Sequence, residues 1–274
     1  MFVFLGAVLL TMVLAYLPVW TKLVEMWSES EENSHGYLIL PISLYAVWCK
    51  REVLAKTPIQ GSSWGLALTC LSLAIYIVSY YGEIVTVQSL SLIAVTMGMA
   101  LYLLGWAMIK ELLFPLFFLL FMIPVPAQIY SWLTIPLQLF VSKVSVACAQ
   151  AINVPIYREG NVLHLPQRTL QVVQACSGLR SMISLLALSA TYGHFTLKSP
   201  LPKGILFLSG IPIAIAVNIV RVFIMIIAFH YFDINLTEGT VHTYFGVGIF
   251  LLALILTGLM REILVKWDKS NIQN

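Results

Sequence analysis

Gly204-Ile205-Leu206-Phe207-Leu208-Ser209-Gly210-Ile211-Pro212-Ile213-Ala214-Ile215-Ala216-Val217-Asn218-Ile219-Val220-Arg221-Val222-Phe223-Ile224-Met225-Ile226-Ile227 is the stretch whose reading decides the fold. Helices that cross a bilayer need about 17–25 predominantly apolar residues, and this run meets that. A helix apolar on all sides has no face for water, so lipid is the solvent it fits. The rest of the chain repeats the pattern. Of its 274 residues 60% are hydrophobic and 10% charged, whereas soluble domains carry roughly 25% charged residues.

Working outward from that run, spans are expected near 2–20, 36–50, 63–81, 87–107, 111–125, 177–195, 204–231 and 241–262. The chain therefore reads as an all-α polytopic membrane protein, a single membrane domain over 1–274 with about eight transmembrane helices. The run 2–20 lacks a basic start and a small-residue cleavage pattern, so it reads as a retained span. The stretch 128–152 carries Gln128, Ser131, Gln138, Ser142, Lys143, Ser145 and Gln150, with Pro136 inside it. That polarity suggests an interfacial or re-entrant helix. Two β-prone runs, Ile156 to Pro166 and Gln167 to Val173, suggest a short extracytoplasmic β-hairpin.

Charge sets the expected orientation. With eight crossings and both termini cytoplasmic, Lys50, Arg51, Lys56, Lys110, Lys198, Lys203, Arg261, Lys266 and Lys269 face inward. Lys22, Lys143, Arg158 and Arg168 face outward, which obeys the positive-inside rule. The net charge of +3 comes without a basic cluster interleaved with aromatics, so nucleic-acid binding is not expected. The four cysteines, Cys49, Cys70, Cys148 and Cys176, form no CxxC pair. Neither a metal nor a cofactor is expected. Cys49, Cys70 and Cys148 read as small buried hydrophobes.

Cys176 is different. In Ala175-Cys176-Ser177-Gly178-Leu179-Arg180-Ser181 it stands where a polar segment turns into an apolar helix. A helix N-terminus favours an anion, and the thiolate is the reactive form of cysteine. Gly178 lets a substrate backbone approach, and Arg180 adds positive potential or meets a lipid head group. Arg221 lies within the long apolar run, where an arginine costs about 2.5–3.5 kcal/mol on insertion scales. No acid near it in sequence neutralises it; Asn218, three residues earlier, shares its helical face. His242 opens the last span and is suited to proton transfer. In the expected topology all three lie on the extracytoplasmic side. Nucleophile, oxyanion donor and proton carrier are the parts of acyl transfer through a thioester. His35 is expected on the same face, and His164 in the hairpin is placed to meet a substrate peptide.

The sequence resembles the exosortase/archaeosortase family. The resemblance is carried by Val173-Gln174-Ala175-Cys176-Ser177-Gly178-Leu179-Arg180-Ser181, by Asn218-Ile219-Val220-Arg221 and by His242. Arg158-Glu159-Gly160 and Ser34-His35-Gly36 also match its pattern. The resemblance implies a membrane cysteine protease–transpeptidase with Cys176, Arg221 and His242 at the catalytic positions. Asn218, Gly178, Arg180, Ser177, His35, Arg158 and Glu159 would be supporting or substrate-binding residues, with the catalytic half near 154–262. The archaeal branch has arginine at the third position, so His242 points to the bacterial one. Implied partners are membrane-tethered proteins whose C-terminal sorting signal joins a short motif such as Pro-Glu-Pro, a hydrophobic helix and a basic tail. The acceptor that resolves the thioester is left open, and membrane lipids surround the reaction. The implied location is the cytoplasmic (inner) membrane, with the active site on its outer face. A transporter or assembly protein for polysaccharide or lipid-linked sugar is the alternative; it lacks the support of a helix repeat or a chain of intramembrane acids.

Overall fold

The computed structural model describes residues 10–29, 33–166, 169–171, 179–234, 236 and 239–273. Side chains at 170, 171, 180, 239 and 269–273 lie outside that description. The chain divides into two compact units, Met1–Pro126 and Ala127–Asn274.

In the first unit a helical segment over 10–15 turns at Tyr16 into α1 (Leu17–Glu29). Then come α2 (Gly36–Cys49), α3 (Arg51–Lys56), α4 (Ser63–Tyr81), α5 (Val85–Leu104), α6 (Trp106–Phe118) and a 3-10 turn (Leu119–Met122). α4 and α5 form a tight antiparallel pair. Small residues allow it: a Cβ on Gly65 would lie 2.1 Å from the Tyr102 backbone nitrogen. Helices in lipid associate through such close approach. Gly105 ends α5 with a φ of 86°, and a Cβ there would lie 1.8 Å from the Gln60 carbonyl oxygen. Only glycine fits both demands. Buried polar groups find partners inside. Tyr16 donates to Ser91 Oγ at 3.2 Å, which donates in turn to the Gln88 carbonyl at 2.6 Å.

The second unit holds α7 (Ala127–Ala151), β1 (Tyr157–Glu159), β2 (Val162–His164), β3 (Thr169–Gln171), α8 (Leu179–Thr196), α9 (Pro200–Phe232) and α10 (Gly239–Gln273). The central helix α9 packs against α7, α8 and α10. The expected hairpin is present, and a third strand extends it into an antiparallel sheet ordered β1-β2-β3. Leu163 and Leu165 of the sheet region enter a core with Val141 and Val146 of α7 and Val222, Ile226 and Phe229 of α9. The sheet therefore lies against the C-terminal half of α9. At the other end of α9, Pro200 occupies the first turn. There Asp268 Oδ2 of α10 accepts from the backbone N–H groups of Lys198 at 2.8 Å and Ser199 at 3.4 Å. This cap supplies an acceptor to donors that have no partner within the helix.

Among the described residues, α4, α5, α7, α9 and most of α10 are each long and apolar enough to cross a membrane, and α2 is a shorter apolar helix. Their outward faces are apolar as well, with Trp64, Val78 and Ile255 exposed. In water that surface would be an aggregation liability; in lipid it is solvated.

The segment expected to lie in the interface departs from its reading. α7 is a continuous 25-residue helix, Pro136 included. Thr134, Gln138, Ser142 and Ser145 are buried within the protein. Ser142 bonds to the Gln138 carbonyl at 2.7 Å and Ser145 to the Ile219 carbonyl of α9 at 3.1 Å. Gln138, Ser142 and Ser145 thus serve helix packing, while Gln128, Lys143 and Gln150 are exposed. Cys49, Cys70 and Cys148 depart from expectation too. They are free and exposed, on surfaces that carry apolar residues, not in the core.

Candidate active site

Arg221 and Asn218 sit one turn apart on α9, and both are buried, at 8% and 5% exposure. Arg221 is eleven residues short of the helix end at Phe232, or about 16 Å at 1.5 Å per residue. Its Nη2 lies 3.2 Å from Nε2 of His242, in the first turn of α10. His242 Nδ1 lies 3.1 Å from the Leu236 carbonyl oxygen. These two contacts fix the tautomer. A carbonyl only accepts, so Nδ1 carries the proton and donates it to Leu236. Nε2 then presents its lone pair to the guanidinium, which only donates. The imidazole is neutral in this arrangement.

The helix hairpin that makes this contact is built by its loop. Asp233 adopts a left-handed conformation, φ 53°, and ends α9 with its N–H on the Ala228 carbonyl. Such a residue reverses the chain at a helix terminus. α10 then returns alongside α9, which brings His242 beside Arg221. Gly246, one turn beyond His242, leaves room: a Cβ there would come only to 3.9 Å from Arg221 Nη2.

On the other side of Arg221 is a small cavity of about 20 Å³ where α8, α9 and α10 meet. Its polar lining is Ser181, Asn218 and Arg221; Leu185, Val217 and Ile249 are among its apolar walls. Among the described residues no group of three or more His, Cys, Asp or Glu side chains could hold a metal ion.

The arrangement brings a guanidinium, an amide and a neutral imidazole together inside a membrane bundle. The first two supply donors to an anion, and the imidazole can accept or pass a proton. Cys176, Ser177 and Gly178 lie outside the described residues, as does the side chain of Arg180, whose backbone is in the first turn of α8. Arg158 turns onto its own hairpin, with Nη1 donating to the Gly160 carbonyl at 2.7 Å. Glu159 is exposed, its Oε2 3.6 Å from His164 Nε2. His35 belongs to the first unit, where Nε2 donates to the Phe121 carbonyl at 3.1 Å. Sequence reasoning did not single out Ser181, Gly246 or the Leu236 carbonyl. Two of them left a trace in the sequence: Ser181 ends the Val173–Ser181 run, and Gly246 falls four residues from His242 and so on the same helical face.

Fold and buried polar cluster together define a polytopic α-helical membrane protein with a small sheet beside its central helix. The family model for transmembrane exosortases matches residues 27–259. The chain belongs to the transmembrane exosortase family. Neither a curated protein nor a solved structure matches it.

Proposed function

We propose that this exosortase is a membrane cysteine protease–transpeptidase that processes the C-terminal sorting signals of exported proteins. The observation that carries the reading is the Arg221–His242 pair at 3.2 Å, with Asn218 one turn away on the same helix. A buried arginine is expensive in a membrane, and functional sites are where such cost is retained. Cys176 is three residues before Leu179, the first residue of α8. Three residues of chain reach about 11 Å at most. Ser181, two residues into that helix, lines the same cavity as Arg221, so the covalent tether favours a thiol close to the pair.

The Cys176 thiol gives its proton to His242 Nε2, and the thiolate sulfur attacks the scissile carbonyl carbon. Charge develops on the carbonyl oxygen, where Arg221, supported by Asn218, donates hydrogen bonds. Arg221 holds Nε2 at rest; as it turns to the carbonyl oxygen of the bound substrate, Nε2 becomes available for the thiol proton. The tetrahedral intermediate collapses, the C–N bond breaks, and the imidazolium protonates the leaving amine. A thioester is left on Cys176. An acceptor amine, hydroxyl or water then attacks it, passing its proton through His242 and restoring the thiol. The Leu236 carbonyl keeps the Nδ1 proton in place throughout, the orienting role familiar from catalytic triads.

The substrate is membrane-tethered: a short motif, a hydrophobic helix and a basic tail. Tethering confines it to the plane of the bilayer and raises its effective concentration at the site. The same charge rule orients enzyme and substrate, with both termini of the enzyme cytoplasmic and the site at the outer face of the inner membrane.

The test is co-expression of such a tripartite substrate with wild type and Cys176→Ala. Wild type is expected to shorten the substrate, and the variant, present at normal level, to leave it intact. Full processing by Cys176→Ala would refute the reading.

A further inference from the structure

The reaction above gives no task to the cavity beneath Arg221. Its position is informative. On α9 it runs from Arg221 through Asn218 and Val217 to Ala214, toward the N-terminus of that helix. On α10 it runs from Gly246 to Ala253, away from His242. It therefore lies on the far side of the guanidinium from the His242–Leu236 contact, deeper in the bundle. A cavity needs roughly 10–15 Å³ of this kind of room to hold one water, and the water needs two to four polar partners. This one has about 20 Å³ and three polar residues in its wall, Ser181, Asn218 and Arg221.

Among the hydroxyls of these helices, Ser181 is set apart by the cavity it lines, beside Asn218 and Arg221. Several hydroxyls on these helices bond back to a carbonyl of their own helix: Ser142 to Gln138, Thr191 to Ala187, Ser209 to Leu206, Thr257 to Ala253; Thr134 and Ser189 are buried without such a bond. Ser145 reaches across to Ile219. Ser181 has no such bond among the described residues, and the cavity is what it faces. A guanidinium can only donate, and an amide and a hydroxyl can each both donate and accept. A water among the three can receive a hydrogen bond from Arg221 and donate to Ser181 Oγ and the Asn218 side-chain oxygen.

We propose that this cavity is a binding site for one structural water and that Ser181 is a positioning residue acting through it on Arg221. The water gives the buried cation an acceptor on its inner side. It thereby sets the plane of the guanidinium, whose other edge faces His242 and the reacting carbonyl. The proposal rests on the reading of Arg221 as the oxyanion donor, and it adds a residue and a ligand which that reading does not require.

The experiment is a double-mutant cycle on processing of the tripartite substrate in detergent or proteoliposomes, run once wild type has been shown to process and Cys176→Ala not to. Ser181→Ala is expected to lower kcat by about 10- to 100-fold with little change in KM, as for loss of one hydrogen bond in a charged network. Ser181→Thr, which keeps the hydroxyl, is expected to restore most of that rate. In an Arg221→Lys background, Ser181→Ala is expected to cost little more. An equal loss in both backgrounds, a loss borne by KM alone, or no loss at all would overturn the proposal. Ala214→Leu, which fills the cavity from the opposite wall while leaving Ser181 intact, is expected to reproduce the kcat loss; wild-type kcat in that folded variant would also overturn it. Failure of wild type to process any such substrate would instead count against the reading beneath it.

Discussion

Replacing Arg221 by methionine separates the cost of the buried cation from its use. The guanidinium is 8% exposed on a helix long and apolar enough to cross a membrane. Its removal relieves about 2.5–3.5 kcal/mol on insertion scales. Against this stands its hydrogen bond to His242 Nε2 at 3.2 Å, with a charged donor and thus worth about 1.5–3 kcal/mol. Methionine is unbranched and flexible and fills the space without a polar atom. Against that one bond methionine is favoured by between about zero and 2 kcal/mol, and each further bond of Arg221 reduces this. Activity moves the other way. Loss of a donor to a developing oxyanion costs about 10²–10³ in rate. The assay pairs thermal unfolding of the purified protein in micelles with the rate of substrate shortening in proteoliposomes. Arg221→Lys serves as the comparison: it keeps the charge but not the planar fork, so it is expected to be slow without being more stable. A methionine variant that fails to accumulate as folded protein would show that Arg221 holds the bundle together. One that processes substrate at the wild-type rate would show that the guanidinium stabilises no reacting group.

Three other perturbations test separate parts of the molecule. His242→Gln keeps a hydrogen-bonding group beside Arg221 but cannot cycle a proton, so folded protein is expected at normal level with processing slowed by about 10²–10⁴; normal turnover would remove the proton-transfer role. Gly105→Ala forces a Cβ into a left-handed position against the Gln60 carbonyl. At a compatible site such a change stabilises by about 0.4–1 kcal/mol; here it should destabilise by more than that, read as a lower melting temperature or loss of monodisperse protein. Asp268→Asn removes the charge that caps the start of α9 at Lys198 and Ser199. It is expected to lower thermal stability without changing the rate per folded molecule, since this cap lies at the end of α9 away from Arg221; a rate change at unaltered stability would contradict that.

What was legible in the sequence follows from the solvent. A long apolar run has one stable form in lipid, so the helices over 63–81, 85–104, 200–232 and 239–273 were visible as periods of hydrophobicity, with ends shifted by a few residues except for the last, which continues well past the expected end at 262. In the same solvent, apolarity no longer reports burial. Cys49, Cys70 and Cys148 were read as core residues because they sit among hydrophobes, yet they are exposed. For a helix in lipid the outside is as apolar as the inside. The stretch 128–152 is the complement of this case. Gln138, Ser142 and Ser145 made the segment look amphipathic, and amphipathicity in water points the polar face outward. Here that face turns inward, to a carbonyl of α9 and to α7 itself. The break at Gly105 was invisible for another reason: it depends on the Gln60 carbonyl, a neighbour brought there by folding.

The candidate site was legible in proportion to how costly its residues are in lipid. Arg221 stood out because nothing but function or a specific partner explains an arginine in that run, and the structure supplies His242 as a partner. His242 stood out less, and its pairing could not be read from sequence, because the two are 21 positions apart, with the reversal at Asp233 between them. Ser181 closed the Ala175–Ser181 run but carried no role there. Serine is cheap in a membrane helix, since it can return its hydrogen bond to the turn before it. Its place here depends on the crossing of three helices at one cavity, which no local pattern encodes. Residues whose burial is expensive announce themselves, while those that position them are inexpensive and emerge only once the helices are packed. The surroundings of Arg221, Asn218 and His242 are therefore where further participants in the reaction should be sought, beginning with hydroxyls and carbonyls that take no part in their own helix.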